Sequence, residues 1–166
     1  MPSSHDYIKD KRNKNIKIFV NDKFYKREKA KVSVFDSGFL LGDGVWSGIR
    51  YHNNKFLFLK DHLSRLFDDA KKIDLKIHLS KKEITKILSD TIRVNKMKTD
   101  VHLRLVVSRG IKSTPYQDPA FTISKPTIVV IPEYKQPQKT IYNKGLVLKT
   151  VKTIRGPHNV QDPRIN

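Results

Sequence analysis

The sequence contains no cysteine among its 166 residues. Disulfide bonds, thiolate nucleophiles and cysteine-ligated zinc are therefore excluded together, and the chain is compatible with a reducing compartment. No run of about 18 or more apolar residues occurs, and the N-terminal stretch MPSSHDYIKDKRNKN lacks the apolar core of a signal peptide. We therefore predict a cytoplasmic protein that does not enter a membrane.

Acidic residues are scarce, since 16 Asp and Glu stand against 34 Lys and Arg and give a formal net charge of +18. A field of that sign attracts nucleic acid, anionic lipid, or phosphorylated and carboxylated metabolites. The excess is mostly lysine spread along the chain, whereas nucleic-acid readers cluster arginine and aromatic residues where bases are met. A basic nucleic-acid-binding module is a distant alternative, and we do not expect nucleic acid to be the partner.

Several nucleotide-binding and catalytic motifs are also missing. The stretch GDGVWSG, residues 42–48, spaces its last glycine one residue too far for a dinucleotide fingerprint, and no Gly-Lys-Ser/Thr of a P-loop follows it. The six histidines show no H-E-x-x-H or comparable spacing, so we predict no metal site. His62 has no serine, cysteine or carboxylate pair set around it in the sequence, which argues against a general base there.

The apolar residues that are present, 37% of the chain, follow strand and turn patterns over much of its length. Apolar and polar residues alternate around Asn21-Asp22, and Asn53-Asn54 separates two further β-rich runs, so two hairpins are predicted. Three more strands are predicted, at VHLRLVVSRG, PTIVVIP and LVLKTVKTI, and TPYQDP is predicted to be a loop.

Two segments have the period of a helix. Apolar residues at i, i+3, i+4 and i+7 predict one helix from Lys60, and Ser80 with Glu83 forms a capping box that starts a second helix ending near Val94. The predicted fold class is α+β, a mainly antiparallel sheet with two helices on one face, followed by the start of a second domain. The predicted organisation is a loose basic tail at 1–14, a small domain at 15–132, a linker at 133–139 and the beginning of a second domain at 140–166.

Arg65 is the sharpest candidate for binding an anion. It lies at the margin of the apolar stripe of the first helix, where its guanidinium can be held at the sheet edge. The planar fork of a guanidinium meets two oxygens of a phosphate or carboxylate at once, which a lysine cannot do. The alternative is an ordinary surface ion pair with Asp61 or Asp69.

The run DSGFLLGDGVWSGIRYHNNKFLFLKDHLSRLFDDAKKI closely resembles the first domain of the class IV, fold-type IV, pyridoxal-phosphate-dependent aminotransferases. That family includes branched-chain amino-acid aminotransferases, D-amino-acid aminotransferases and aminodeoxychorismate lyase. The resemblance continues through LRLVVSRG and VQDPRIN and covers nearly the whole chain after the tail. One departure is Ser47, where the family usually has glutamate.

The resemblance implies roles for several residues. Arg65 matches the arginine that binds the phosphate of pyridoxal 5'-phosphate, and Trp46 matches a residue that lines the substrate pocket. His102 and Arg104 match a strand that contacts substrate in branched-chain members. Thr114 and Tyr116 fall in the loop that recognises the α-carboxylate in D-amino-acid members, and those members have arginine and histidine there, so the departure argues against D-specificity.

The resemblance also implies an activity. The whole protein is expected to be a homodimeric transaminase that moves an amino group from an amino acid, preferably branched-chain, to a keto acid such as 2-oxoglutarate. The family's Schiff-base lysine is expected beyond Asn166 in a longer protein, so we predict no catalytic residue in these 166 residues and no activity for them alone. Aminodeoxychorismate lyase on the same scaffold is the alternative.

Overall fold

The computed structural model describes residues 10–136, 139–152, 154, 156 and 157. Six strands of these residues form one sheet in the order β2-β1-β6-β5-β3-β4, and every neighbouring pair is antiparallel. Their bounds are β1 Lys17–Val20, β2 Lys23–Lys26, β3 Gly44–His52, β4 Lys55–Phe56, β5 Val101–Ser108 and β6 Thr127–Tyr134. The predicted mainly antiparallel sheet is confirmed.

The described residues also form four α-helices: α1 Ser37–Leu41, α2 Leu59–Lys72, α3 Lys81–Val94 and α4 Lys139–Lys144. Helix α2 packs on β3, and α3 packs on β1 and β6, as the two predicted helices should. The predicted capping box is present, because Ser80 Oγ accepts from the Glu83 amide and the Glu83 carboxylate accepts from the Ser80 amide. Within the part of the chain that the structure describes, no helix combines the length and apolar character needed to cross a membrane.

Asparagines make both predicted hairpin turns. Asn21 has φ 57°, and Asn53 and Asn54 have φ 47° and 61°. Asparagine tolerates this left-handed region because its short polar side chain hydrogen-bonds locally. The register of both hairpins therefore follows from turn chemistry that is visible in the sequence.

The core lies between the sheet and helices α2 and α3. Alternate residues of β5 point into it and are fully buried, and the helices contribute their apolar stripes: Val101, Leu103, Leu105 and Val107 from β5, Leu63, Leu66 and Ala70 from α2, and Ile84, Leu88 and Ile92 from α3. The intervening residues of β3 and β5 face the other side, which we call the open face: Trp46, Gly48 and Arg50 of β3, and His102, Arg104 and Val106 of β5.

The predicted loose tail is wrong for residues 10–14. Lys11–Asn15 form a 3-10 helix capped by Asp10, and Asn13 is buried. The Asn13 side-chain amide donates to the Tyr134 carbonyl at 3.0 Å and accepts from the Tyr134 amide at 2.8 Å. One asparagine thus pairs with the end of β6 as a strand residue would, a contact with no local sequence signal. Residues 1–9 lie outside the described residues.

The structure corrects two predictions for the C-terminal part of the chain, the linker at 133–139 and the strand LVLKTVKTI. Strand β6 continues through Pro132 to Tyr134, so the first two residues of the predicted linker belong to the sheet. Residues 146–152 form no strand, contrary to the prediction, and Leu148 is 87% exposed. A strand needs a neighbour to hydrogen-bond, and the described residues provide none there. The VQDPRIN segment lies outside the described residues.

Candidate functional site

Among the described residues, no other strand covers the outer edge of the first half of β3. Strand β4 pairs only with Tyr51 and His52, whereas β5 pairs with β3 along its whole length. The chain leaves β4, turns at Phe58 in the left-handed region with φ 51°, and enters α2, which runs back beside β3. Polar side chains of α2 are thereby brought to the uncovered edge of β3.

Ser47, His62 and Arg65 meet at this edge and form what we call the edge cluster. Ser47 is fully buried, and its Oγ lies 3.1 Å from His62 Nδ1 and 3.3 Å from Arg65 Nη2. A guanidinium can only donate, so Ser47 Oγ accepts from Arg65 and its hydrogen can be donated to His62 Nδ1. Burial, and then the positive charge of Arg65, lower the pKa of His62, in keeping with a neutral imidazole that accepts this hydrogen bond.

Arg65 has no carboxylate partner among the described residues. Among the described residues Arg65 forms neither the ion pair with Asp61 nor the one with Asp69 that would have made it an ordinary surface residue, and Asp69 pairs instead with Lys72 at 3.3 Å. The hydroxyl of Ser47 is the only hydrogen-bond acceptor that the described residues give to this guanidinium. Half-buried and not neutralised, Arg65 keeps most of its donors free for an anion.

The contact between Ser47 and His62 overturns the expectation that no serine stands beside this histidine. The pair does not form the dyad of a hydrolase, however. Ser47 has no exposed surface through which to reach a substrate, and within the described ranges no carboxylate hydrogen-bonds to His62 to orient it. The serine holds neighbouring side chains in place.

The open face brings Trp46, His102 and Arg104 together. The Arg104 guanidinium carbon lies 4.1 Å from the centre of the Trp46 ring, one strand away. Gly48 faces Arg104 across the pair of strands, and a Cβ there would lie only 2.7 Å from His102 Nε2. The absence of a side chain at Gly48 therefore lets the imidazole rest on the β3 backbone.

The open face is positively charged. The pKa of His102 is lowered by burial and, after that, by the positive charges of Lys135, Arg104 and Arg50. The negative charge of Glu133 offsets this lowering only in part. The Arg104 guanidinium can therefore attract an anionic group to this face, and the neutral imidazole of His102 adds no charge of its own.

An apolar groove of about 510 Å³ adjoins Trp46 on this face. It is lined mainly by aliphatic and aromatic side chains, among them Ile18, Val20, Phe39, Val106 and Val129. The tryptophan thus stands between an apolar surface and a guanidinium, an arrangement suited to a ligand with one apolar and one acidic end.

Thr114 and Tyr116 lie apart from the edge cluster and from the polar residues of the open face. They occupy the loop that follows β5, where Tyr116 is 65% exposed and its ring packs edge-on to Phe121 at 5.8 Å. Across the described residues, no hydrogen bond or aromatic contact connects this loop to Trp46 or Arg104. The structure therefore assembles Trp46, His102 and Arg104 on one sheet face, holds Arg65 at the sheet edge, and leaves the loop separate.

A clamp between Asp43 and Arg109 is a feature that sequence analysis missed. Arg109 Nε and Nη2 donate to the two Asp43 carboxylate oxygens at 2.7 and 3.0 Å. The same guanidinium donates to the carbonyls of Ile73 and Asp74 at 2.7 and 2.9 Å, and so fixes the end of α2 against the start of β3. Partners this far apart in the chain leave no local signal.

The histidines and acids do not assemble a metal site in the described part of the chain, where no group of three or more such residues is positioned to hold an ion. The prediction of no metal site rests on the absence of ligand spacing in the sequence.

Comparison with known proteins identifies the family. The profile described as Amino-transferase class IV matches residues 44–165, nearly three quarters of the chain. The chain belongs to the class IV aminotransferases. The resemblance noted in the sequence is thereby confirmed, and this family depends on pyridoxal 5'-phosphate.

Relatives of this class IV chain include enzymes of two specificities. A putative branched-chain-amino-acid aminotransferase of Methanocaldococcus jannaschii is 39% identical over 150 residues, which are 90% of this chain and 50% of the relative. A D-alanine aminotransferase of Listeria monocytogenes is 37% identical over 98 residues, 59% of this chain and 34% of the relative. The chain therefore spans half or less of the length of these relatives.

A solved structure of the same architecture agrees. The branched-chain aminotransferase of the archaeon Thermoproteus uzoniensis, crystallised with norvaline, superimposes with a TM-score of 0.61 at 28% identity, over 72% of this chain and 40% of that one. The predicted fold, the N-terminal domain of fold-type IV aminotransferases, is confirmed.

Proposed function

We propose that this chain forms the part of a branched-chain aminotransferase that holds the phosphate of pyridoxal 5'-phosphate and lines the substrate pocket. The observation that carries the proposal is Arg65, a half-buried guanidinium with a neutral hydroxyl as its only acceptor among the described residues. Such a group fits a phosphate, because a doubly charged anion can take the donors that no carboxylate occupies.

The contrast with Arg109 supports this reading of Arg65. Arg109 is comparably buried, yet its guanidinium already donates hydrogen bonds to the Asp43 carboxylate and to two backbone carbonyls. Ser47 accepts a hydrogen bond from Arg65 and so fixes the direction of the guanidinium. The neutral hydroxyl leaves the positive charge of Arg65 in place, whereas the usual glutamate would cancel it. The serine is therefore compatible with a phosphate site, although it departs from the family pattern.

The open face supports the substrate half of the proposal. The Trp46 ring and the adjoining groove offer an apolar surface for an aliphatic side chain, and Arg104 offers a guanidinium for a carboxylate. His102 is placed beside them to orient the bound acid. We assign Thr114 and Tyr116 to a loop that contacts the substrate, and their uncharged side chains favour a branched-chain over a D-amino-acid specificity.

When bound, pyridoxal 5'-phosphate supplies the electron sink that transamination requires. The residues of this chain bind and orient: Arg65 holds the phosphate, and Trp46 and Arg104 position the amino acid and the keto acid, for which 2-oxoglutarate is proposed. No residue here is assigned to proton transfer. We place the covalently binding lysine in a further part of the protein, and we expect the 166 residues alone to be inactive.

The domain layout and the assembly are also proposals. Residues 15–132 are the small domain, 133–139 the linker and 140–166 the start of a second domain. Exposed apolar side chains at Val34, Phe35 and Phe39, which are 64, 44 and 69% exposed, suit burial against another subunit, so a homodimer is proposed for the whole enzyme. The cytoplasmic location stays a prediction.

The decisive experiment compares Arg65→Gln with Arg93→Gln in the full-length protein. Arg93 lies on α3, pairs with Asp90 at 2.7 Å and is 80% exposed, so its loss removes one charge without touching the site. Cofactor-free protein is titrated with pyridoxal 5'-phosphate and with pyridoxal. A charge-assisted hydrogen bond is worth about 1.5–3 kcal/mol, so Arg65→Gln should weaken phosphate-dependent binding roughly 10- to 100-fold.

Comparing pyridoxal 5'-phosphate with pyridoxal separates the loss of a phosphate contact from a general loss of structure in the variant. We expect Arg65→Gln to abolish most of the preference for pyridoxal 5'-phosphate over pyridoxal, and Arg93→Gln to preserve it. An unchanged preference in Arg65→Gln contradicts the phosphate assignment. Glutamate formed from 2-oxoglutarate supports the transaminase, whereas pyruvate with 4-aminobenzoate would identify the lyase.

A further inference from the structure

Lys112 has the only buried lysine or arginine side chain among the described residues, with 1% of its surface exposed. It lies just beyond β5, where its amide donates to the Phe35 carbonyl at 2.9 Å and its backbone forms a bridge with Thr122. A lysine in a loop normally extends its ammonium into water, because removing that charge from solvent is costly. The burial of Lys112 therefore calls for a specific reason.

The ammonium of Lys112 spans the base of a loop. Its Nζ donates to the Asp118 carbonyl at 2.8 Å, which joins the two ends of the loop formed by residues 113–117. Ion pairs among the described residues do not include Lys112, so its charge is not neutralised. The hydroxyl of Thr122, across the bridge, is likewise buried without a partner in the described part of the chain.

The acceptor of this hydrogen bond is itself fixed. The Asp118 carboxylate caps the 3-10 helix Pro119–Phe121 by accepting from the Ala120 amide at 2.8 Å. The Ser113 amide donates to the Phe121 carbonyl at 2.9 Å and closes the loop from the other side. The loop is thus anchored at its base, while Tyr116 at its tip is exposed.

We propose that Lys112 is a positioning residue for substrate binding, which holds Thr114 and Tyr116 in place through Asp118 and leaves a fixed positive charge beneath their loop. This inference rests on the proposed function, which assigns the loop to the substrate. A cation fixed beneath a substrate-binding loop adds to the attraction that Arg104 offers to a substrate carboxylate. Lys112 does not touch the substrate and acts through the loop.

The test uses the full-length protein with Lys112→Met, which keeps most of the length of the side chain and removes the charge and the hydrogen bond. Lys125→Met is the matched control, because Lys125 is exposed in the same segment. Lys112→Gln, whose amide can hydrogen-bond inside the protein, replaces Lys112→Met if the latter does not fold.

The first measurement is chymotrypsin cleavage after Tyr116 relative to cleavage after Phe58, which is 75% exposed and remote from the loop. The second is the affinity for a branched aliphatic carboxylic acid and for its uncharged amide. We expect Lys112→Met to raise the cleavage ratio by about 10-fold, as for the loss of one charge-assisted hydrogen bond, and to weaken binding of the acid by a smaller factor, with binding of the amide unchanged.

Three outcomes overturn the proposal. The first is that Lys112→Met equals Lys125→Met in both measurements, the second is a looser loop without weaker binding of the acid, and the third is weaker binding of the acid and the amide together. A wild-type protein that binds neither compound would contradict the proposed function, and the cleavage ratio would then decide whether Lys112 holds the loop.

Discussion

Replacing Arg109 with methionine should destabilise the fold more than any surface charge change, because four hydrogen bonds are lost at once. The guanidinium joins Asp43, at the start of β3, to the carbonyls of Ile73 and Asp74 at the end of α2. Methionine fills a similar volume but donates nothing. The Asp43 carboxylate and both carbonyls would then lose their donor.

The expected cost follows from burial. Removing one partner of a fully buried ion pair costs about 3–5 kcal/mol. The side chains of Arg109 and Asp43 are 15% and 19% exposed, so water can partly replace the lost partner. We therefore expect a loss of about 2–4 kcal/mol in the free energy of unfolding, which lowers Tm by roughly 5–15 °C in a domain of this size.

The assay is urea and thermal unfolding of four proteins: wild type, Arg109→Met, Asp43→Asn and the double variant. The cycle isolates the pair, for which a coupling of about 1–3 kcal/mol is expected. Arg93→Met is the control, since the pair of Arg93 with Asp90 is exposed and should be worth less than about 1 kcal/mol.

A cost for Arg109→Met no greater than that for Arg93→Met would refute the reasoning, as would a coupling near zero. Because Arg109 fixes the end of the helix that carries Arg65, we also expect Arg109→Met to weaken binding at the edge cluster. That effect should be smaller than the effect of Arg65→Gln, since the guanidinium of Arg65 remains.

Three further predictions concern other parts of the molecule. The lowered pKa of His62 means that the unfolded chain takes up a proton before the folded one, so stability should fall as pH drops below about 6.5, and His62→Gln should flatten the profile of Tm against pH. Arg104→Leu should shift the emission of Trp46, the chain's single tryptophan, at a stability cost of only about 0.5–1 kcal/mol; an unshifted spectrum would argue against the stacking. Asn13→Ala should cost about 1–3 kcal/mol in urea unfolding through its two bonds to Tyr134, and a cost near zero would show that residues 10–14 are loose after all.

The elements that sequence analysis located correctly carry their signals within a few residues. Asn21-Asp22 and Asn53-Asn54 mark the hairpin turns, a capping box marks the start of α3, and apolar spacing marks α2. Each is a local property, because turn backbone angles, helix-end hydrogen bonds and side-chain period depend on near neighbours. The failures were segments whose state depends on distant partners, namely residues 10–14 and 146–152.

The candidate site divides in the same way. Arg65 could be selected from its place on an amphipathic helix, and Trp46, His102 and Arg104 from the family resemblance. The absence of an acid beside Arg65 could not be predicted, because Asp61 and Asp69 are both within reach along the helix. Only the packing of α2 against β3 shows that Ser47 takes that place.

The sequence by itself determined the hairpins, the two main helices, the α+β class and, by its motifs, the aminotransferase family. Only the tertiary structure decided that β4 is too short to cover the first half of β3, that Ser47 and Arg65 meet there, and that the ammonium of Lys112 is buried. The reason is that local backbone preferences act over a few residues, whereas burial and charge compensation depend on which distant segments the sheet places side by side.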